Sequence, residues 1–377
     1  MFTTAEVRSV TVDGRQLRVA VRPGRSVAGG PPRQPLLLIS GIGASLELFE
    51  PFVRELDPAT DVIRFDPPGI GGSAQPAKPY RFTGLCRVIA RMLTELGYDR
   101  VDVLGVSWGG GVAQHFAGFQ RSRCRRLVLA ATATGALMVP GKPSVLVHLA
   151  MPRRHIDREY LQRVVGELYG GSAREHPERV VAAMDNSNWL GSPRAYIYQL
   201  LAGAGWTSLP FLPMIRQPTL ILAGDDDPII PLANARLMNL LIPRARLHVY
   251  HGGHLGRVTE AAELAPVVDA FLAAPLPGRR RPQRAASCRY EACSRAGAAR
   301  KCGAARRQAS AADRAHSESA ARKLARSCRR AAVSRYAGSA SKPSMHPACA
   351  AWVARWVRVY GWGAPRSWPL PAHGGRA

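Results

Sequence analysis

The sequence predicts an α/β protein: a mostly parallel sheet covered by helices on both faces, with a helical insertion over one end. Three observations predict it. Short apolar runs alternate with stretches of helical periodicity through residues 1–275. A Gly-x-Ser-x-Gly motif stands where one of those runs gives way to a helix. The alternation is broken once, over about residues 135–213, by a segment rich in Pro, Trp, Tyr and amphipathic stretches.

Taken in order, Val7 to Val21 alternates around Asp13-Gly14, a hairpin signal. Strands are then expected at Leu36–Ile39, Asp61–Phe65, Val101–Val106, Arg126–Ala130, Thr219–Ala223 and Arg246–Tyr250. Helices are expected between them at Phe82–Leu96, Gly109–Phe119 and Leu232–Leu241, and after them at Thr259–Leu272. Continuous apolar strands separated by helices indicate parallel pairing buried on both faces. Within the insertion, Arg158–Tyr169 and Pro177–Met184 read as helices. An insertion between two sheet strands, above their carboxyl ends, makes a lid over a site there.

The 377 residues carry 52 Lys+Arg and 26 Asp+Glu, a formal charge of +26, but unevenly. Residues 276–377 hold 22 basic and three acidic side chains, 26 Ala, and no Ile or Phe. Such a segment cannot bury enough apolar surface to offset ordering entropy, so a disordered, basic C-terminal tail is expected after a domain at 1–275. Its mixture of residues is also what a GC-rich reading frame gives when carried past its natural end. The global charge therefore does not mark a nucleic-acid enzyme. The tail interleaves Arg with Trp352, Trp356, Trp362 and Trp368, as surface-binding arms do, but carries no module signature, and nucleic acid is not an expected partner. Five of the seven cysteines lie in this tail, at spacings that repeat no zinc or redox pattern. No secretory signal and no membrane span is read in the chain.

Gly105-Val106-Ser107-Trp108-Gly109 follows a strong strand and opens a helix, the context of a nucleophile elbow. The turn must be tight, so its flanking positions are glycine, and the helix N-terminus supports negative charge beside the serine. A serine needs a base held by an acid. Downstream, one strand runs into Gly224-Asp225-Asp226-Asp227-Pro228 and the next into His251-Gly252-Gly253-His254, which supplies both. The spacing alone leaves open which aspartate and which histidine act. No compact ligand set accompanies them, so neither a metal nor a cofactor is expected. His115 reads as a packing residue and Asp66 as a turn-former. Oxyanion donors are expected from the backbone of Trp108 and from the loop Ser40-Gly41-Ile42-Gly43.

With these motifs in place, residues 1–275 resemble the α/β-hydrolase superfamily. Within it they closely resemble the intracellular medium-chain-length poly(3-hydroxyalkanoate) depolymerases. The resemblance rests on Gly41-Ile-Gly-Ala44, Asp66-x-Pro-Gly-x-Gly-Gly-Ser73, Pro79-Tyr-Arg-Phe82, Gly105-Val-Ser-Trp-Gly-Gly110 and Met138-Val-Pro-Gly-Lys-Pro143. It continues through Gly205-Trp-Thr-Ser208, Leu222-Ala-Gly-Asp-Asp-Asp-Pro228 and Gly253-His-Leu255. It implies an α/β-hydrolase fold with Ser107 as nucleophile, Asp227 as acid, His254 as base, and Ile42 and Trp108 as oxyanion donors. It also implies a cytoplasmic enzyme at the surface of polyester storage granules, cleaving polymer esters to 3-hydroxy acids or oligomers. Ser40 stands where many superfamily members carry His, which leaves the backbone donors intact. The same site chemistry also suits a generic carboxylesterase or lipase, an acyltransferase or a carbon–carbon bond hydrolase. The substrate reading gives the insertion an apolar lining, with Leu146, Leu149, Trp189, Leu200 and Trp206 as its candidates.

Overall fold

The computed structural model describes residues 5–25, 33–150, 153, 157–186 and 192–275. The expected tail, 276–377, and Trp189 lie outside the described residues. The chain opens with an antiparallel hairpin, β1 (Glu6–Val12) and β2 (Arg15–Arg22). Asp13 and Gly14 both take positive φ, 50° and 72°, as a two-residue hairpin turn of this hand requires. The remaining strands are β3 (Leu36–Ile39), β4 (Val62–Phe65), β5 (Val101–Val106), β6 (Cys124–Ala130), β7 (Thr219–Gly224) and β8 (Ala245–Tyr250). Together they make one eight-stranded sheet in the order β1-β2-β4-β3-β5-β6-β7-β8. Only the β1/β2 and β2/β4 pairings are antiparallel. Strands β3, β4, β5 and β7 are buried at every residue, which is why they read as largely apolar runs rather than alternating ones, broken only by the buried Arg64 in β4, Asp102 in β5 and Thr219 in β7.

Helices α1 (Glu50–Glu55), α2 (Phe82–Glu95) and α3 (Trp108–Phe119) connect the first strands. The insertion between β6 and β7 holds five more: α4 (Pro143–Ala150), α5 (Arg158–Tyr169), α6 (Ser172–Glu175), α7 (Pro177–Asn186) and α8 (Pro193–Gly203). Then come α9 (Leu232–Leu241), α10 (Gly256–Thr259) and α11 (Ala261–Ala273). One apolar cluster on one face of the sheet includes Phe82, Ile89, Val112 and Phe116; a second on the other includes Phe49, Phe52, Leu264 and Val268. A third joins the lid to the body through Leu48, Val145, Leu161, Val165, Ile229 and Leu255.

The helix expected at Thr259–Leu272 is divided. Glu260 leaves helical geometry (φ −114°, ψ 30°), ending α10 and starting α11. Its carboxylate accepts hydrogen bonds from the hydroxyls of Thr259 and of Ser172, the latter in the lid. A helical pattern read along the chain does not register that distant pull. Among the described residues no helix is long and apolar enough to cross a membrane.

Candidate active site

All the motif residues converge at the carboxyl ends of β3, β5, β7 and β8. Ser107 follows β5 with φ 54° and ψ −120°, a conformation strained for any residue but glycine. The flanking glycines are required by close approach. A Cβ on Gly105 would overlap the carbonyl of Gly109, and one on Gly109 would overlap the carbonyls of Ile39 and Ser40. The elbow therefore packs directly onto the β3 loop. In return, that loop lies against the serine: a Cβ on Gly41 would stand 3.5 Å from Ser107 Cβ.

Two backbone amides flank this junction in sequence, those of Ile42 after Gly41 and Trp108 after Ser107. Trp108 opens α3, so its N–H has no carbonyl one turn back. In the β3 loop, the Gly43 amide donates to Gln199 Oε1 (2.7 Å) and the Ala44 amide to the Gly41 carbonyl (3.3 Å). Neither is free to act as an oxyanion donor, while the Ile42 amide enters neither contact. Ser40 donates its hydroxyl to the Ala44 carbonyl (2.8 Å), closing the loop.

The three consecutive aspartates after β7 have three separate partners. Asp225 pairs with the exposed His251 (Nδ1 to Oδ2, 3.1 Å) and accepts the Gly252 amide. That bond raises the His251 imidazole and lowers the Asp225 carboxyl. Asp226 holds the lid, accepting from Arg174 (3.0 Å) and from the Gly171 amide (2.8 Å). Asp227 alone turns inward. One of its oxygens accepts the amides of Ile229 (2.9 Å) and Ile230 (2.8 Å), and the other lies 2.8 Å from His254 Nδ1. Both side chains of this pair are buried, at 1% and 5% exposure. The alternatives that spacing left open are thus separated by geometry. His254 is fixed further by its own amide, which donates to the Tyr169 carbonyl at the end of α5 (2.8 Å). It lines a small cavity together with Val106, which precedes Ser107, and with Ala130 and Ala131. Asp227 engages one imidazole nitrogen, Nδ1, and not the other.

His115 is packed, not reactive. It stacks on Phe119 at 4.4 Å between ring centroids and touches Thr83 and Trp206. Burial pushes its imidazole down to about 4, so it is neutral near pH 7. Asp66 is fully buried and accepts from the amides of Leu46 (2.7 Å) and Gly72 (3.0 Å) and from Arg18 (3.1 Å). It braces the far end of the oxyanion loop.

Two of the expected lid-lining residues face elsewhere. Leu200 is 38% exposed, and Trp206 is taken up by ring contacts with Phe82, His115 and Phe211. Sequence reasoning also missed Gln199. It lies on the buried stripe of α8 with Ala195, Tyr196 and Ala202, and a polar residue in such a stripe was the available signal.

The chain belongs to the α/β-hydrolase fold family, whose model matches residues 34–261. It is 50% identical over 267 residues to the poly(3-hydroxyalkanoate) depolymerase of Ectopseudomonas oleovorans, a match spanning 70% of this chain and 92% of that protein. Fold and relative together make it a carboxylic ester hydrolase. It is 30% identical over 255 residues to the 2-hydroxy-6-oxo-2,4-heptadienoate hydrolase of Pseudomonas putida, covering 64% of this chain and 89% of that one. The fold is that of the enol-lactonase from Burkholderia xenovorans, with a TM-score of 0.61 at 24% identity, covering 71% of this chain and 100% of that one.

Proposed function

We propose that the chain hydrolyses the ester bonds of medium-chain-length poly(3-hydroxyalkanoate), releasing 3-hydroxy acids or short oligomers. The observation that carries the reading is the 50% identity to a poly(3-hydroxyalkanoate) depolymerase across nearly its whole length. The lower identity, 30%, to the 2-hydroxy-6-oxo-2,4-heptadienoate hydrolase favours the depolymerase reading over that relative's reaction.

In this reading Ser107 Oγ attacks the ester carbonyl. His254 takes the proton on the ring nitrogen that Asp227 does not hold, then returns it to the leaving hydroxyl. Asp227, 2.8 Å from Nδ1, fixes the tautomer and stabilises the imidazolium. The Ile42 and Trp108 amides receive the tetrahedral oxyanion. Water, activated by the same imidazole, then releases the acyl group from Ser107. The reading extends to a cytoplasmic enzyme working at the granule surface. The outer face of α8 supports that, since Ile197, Leu200 and Leu201 form an exposed apolar stripe at helical spacing.

The test is turnover on purified medium-chain granules alongside soluble p-nitrophenyl esters, with Ser107→Ala as control. Release of 3-hydroxy acids by the wild type, abolished in Ser107→Ala, is the expected result. Cleavage of soluble octanoate ester with no release from granules would leave a small-ester esterase.

A further inference from the structure

Gln199 ties the lid to both of the loops that carry the oxyanion donors. It is fully buried on the inner face of α8. Its Oε1 accepts the Gly43 amide at 2.7 Å, one residue beyond Ile42 in the β3 loop. Its backbone carbonyl accepts the indole N–H of Trp108 at 2.8 Å, one residue beyond Ser107 in the elbow. The two loops follow different strands, and this one lid residue is bonded to each. A peptide unit is planar, so holding the Gly43 N–H holds the plane that also contains the Ile42 carbonyl. One of the two rotations at Ile42 Cα is thereby restrained, and with it the direction of the Ile42 amide.

The helix that carries Gln199 is itself anchored on either side of it. The Tyr196 hydroxyl donates to the Leu149 carbonyl in α4. Arg81, just before α2, donates to the Leu201 (3.0 Å) and Ala204 (2.9 Å) carbonyls at the carboxyl end of α8. Ala195 packs on Gly69, where an added Cβ would stand 2.7 Å from its own. A buried side chain on an anchored helix holds its partners in one geometry. Resting on the mechanism above, in which the Ile42 and Trp108 amides receive the oxyanion, we propose that Gln199 is a positioning residue for that reaction. It sets the two amides at the spacing the tetrahedral oxygen requires, acting through Gly43 and the Trp108 ring rather than on the acyl group. Donors stabilise developing charge only if they are in place beforehand, and a displacement of about 1 Å can cost about a hundredfold in rate. The effect belongs to kcat. Acylation and deacylation both pass through an oxyanion, so slowing them alike leaves KM unmoved.

The experiment measures kcat and KM of the full chain on p-nitrophenyl octanoate, together with Ki for octyl trifluoromethyl ketone, whose hemiketal with Ser107 sets an oxyanion at the same amides. Gln199→Leu keeps a side chain of about the same size and removes the acceptor. Turnover and ketone affinity should both fall by at least about tenfold, with KM within about twofold of wild type. Gln199→Glu keeps an oxygen for Gly43 and should recover most of that loss. Fluorophosphonate titration counts the active sites, so that partial unfolding is not read as lost kcat. An unchanged kcat in folded Gln199→Leu overturns the proposal, as does a rise in KM at constant kcat, or a loss in Gln199→Glu as large as in Gln199→Leu. Where Gln199→Leu does not fold, Trp108→Phe decides, since it keeps an aromatic ring and removes the indole bond. There kcat should fall by about threefold or more with KM unmoved, and an unchanged kcat overturns the proposal. Ser107→Ala separates this proposal from the mechanism it rests on. Turnover abolished in Ser107→Ala but unmoved in Gln199→Leu removes only the positioning role; turnover retained in Ser107→Ala removes both.

Discussion

Asp225, Asp226 and Asp227 are chemically identical neighbours, and their differences arise wholly from what each one meets. The first two are partly exposed and pair with His251 and Arg174 at the surface, where solvent screens an ion pair. Asp227 is buried with both carboxyl oxygens engaged, one by two amides and the other by the His254 ring. Asp227→Asn puts a donor where the His254 Nδ1–H needs an acceptor. Ester turnover should fall by roughly four orders of magnitude with the fold retained. Asp225→Asn, Asp226→Asn and His251→Ala should each stay within about threefold of wild type, because none of them touches the pair. Turnover and thermal midpoint, measured on all four variants, check the assignment; an essential Asp226 would overturn it. At this scale the sequence narrowed the choice but did not make it. Asp-Asp-Asp and His-Gly-Gly-His name the residue types, while the inward turn is made by the Ile229 and Ile230 amides that cap Asp227, a contact that no spacing rule supplies. Gln199 was illegible for the same reason: its partner lies 156 residues away on Gly43.

Elements that look independent along the chain are joined at the end of α5. The amphipathic pattern gave Arg158–Tyr169 its correct bounds, because helical periodicity reports which face is buried. It did not report against what. The segment Tyr169-Gly170-Gly171 crosses the loop that carries His254, and the contact is backbone on backbone. A Cβ on Gly171 would overlap the Gly253 nitrogen, and one on Gly170 would overlap the Asp226 carbonyl. Both glycines also sit at positive φ, 51° and 64°. Gly171→Ala therefore has to displace the histidine loop itself. It should cost more than about 2 kcal/mol of stability and lower kcat by at least about tenfold. Gly205 is the control: it has φ 70°, but an added methyl would meet nothing within 4 Å, so Gly205→Ala carries only the backbone strain of about 1 kcal/mol. Equal effects of the two substitutions on kcat would show that the lid does not position the histidine. The division of the last helix at Glu260 belongs to the same contact system, since its carboxylate takes the Ser172 hydroxyl one residue beyond Gly171.

For the molecule as a whole, the question is where the folded unit ends. The sequence places the boundary near residue 275 from charge and composition alone, and the described residues show how the last described helix is closed just before that point. Helix α11 ends at Ala273, and its last carbonyls are taken by arginines of β6. Arg126 donates to Phe271 (2.6 Å) and to Ala274, and Arg125 donates to Leu272 (3.0 Å) while its Nε holds the buried Asp102 (2.8 Å). The helix end is thus capped from within residues 1–275, and Leu272 beneath it is buried. Truncation after Pro275 removes a net charge of +19 but none of these partners. It should shift the thermal midpoint by less than about 2 °C and leave ester turnover unchanged. Truncation after Asp269 removes Leu272 and the three carbonyl acceptors together. The loss of a buried leucine costs about 2–5 kcal/mol, and the orphaned guanidinium groups beside Asp102 add to it. With roughly 2–4 °C per kcal/mol for a domain of this size, that midpoint should fall by about 10 °C or more. Differential scanning fluorimetry on the two truncations and the full chain reads both shifts. A large loss on cutting after Pro275 would mean that residues beyond it belong to the folded unit, against the boundary drawn from composition.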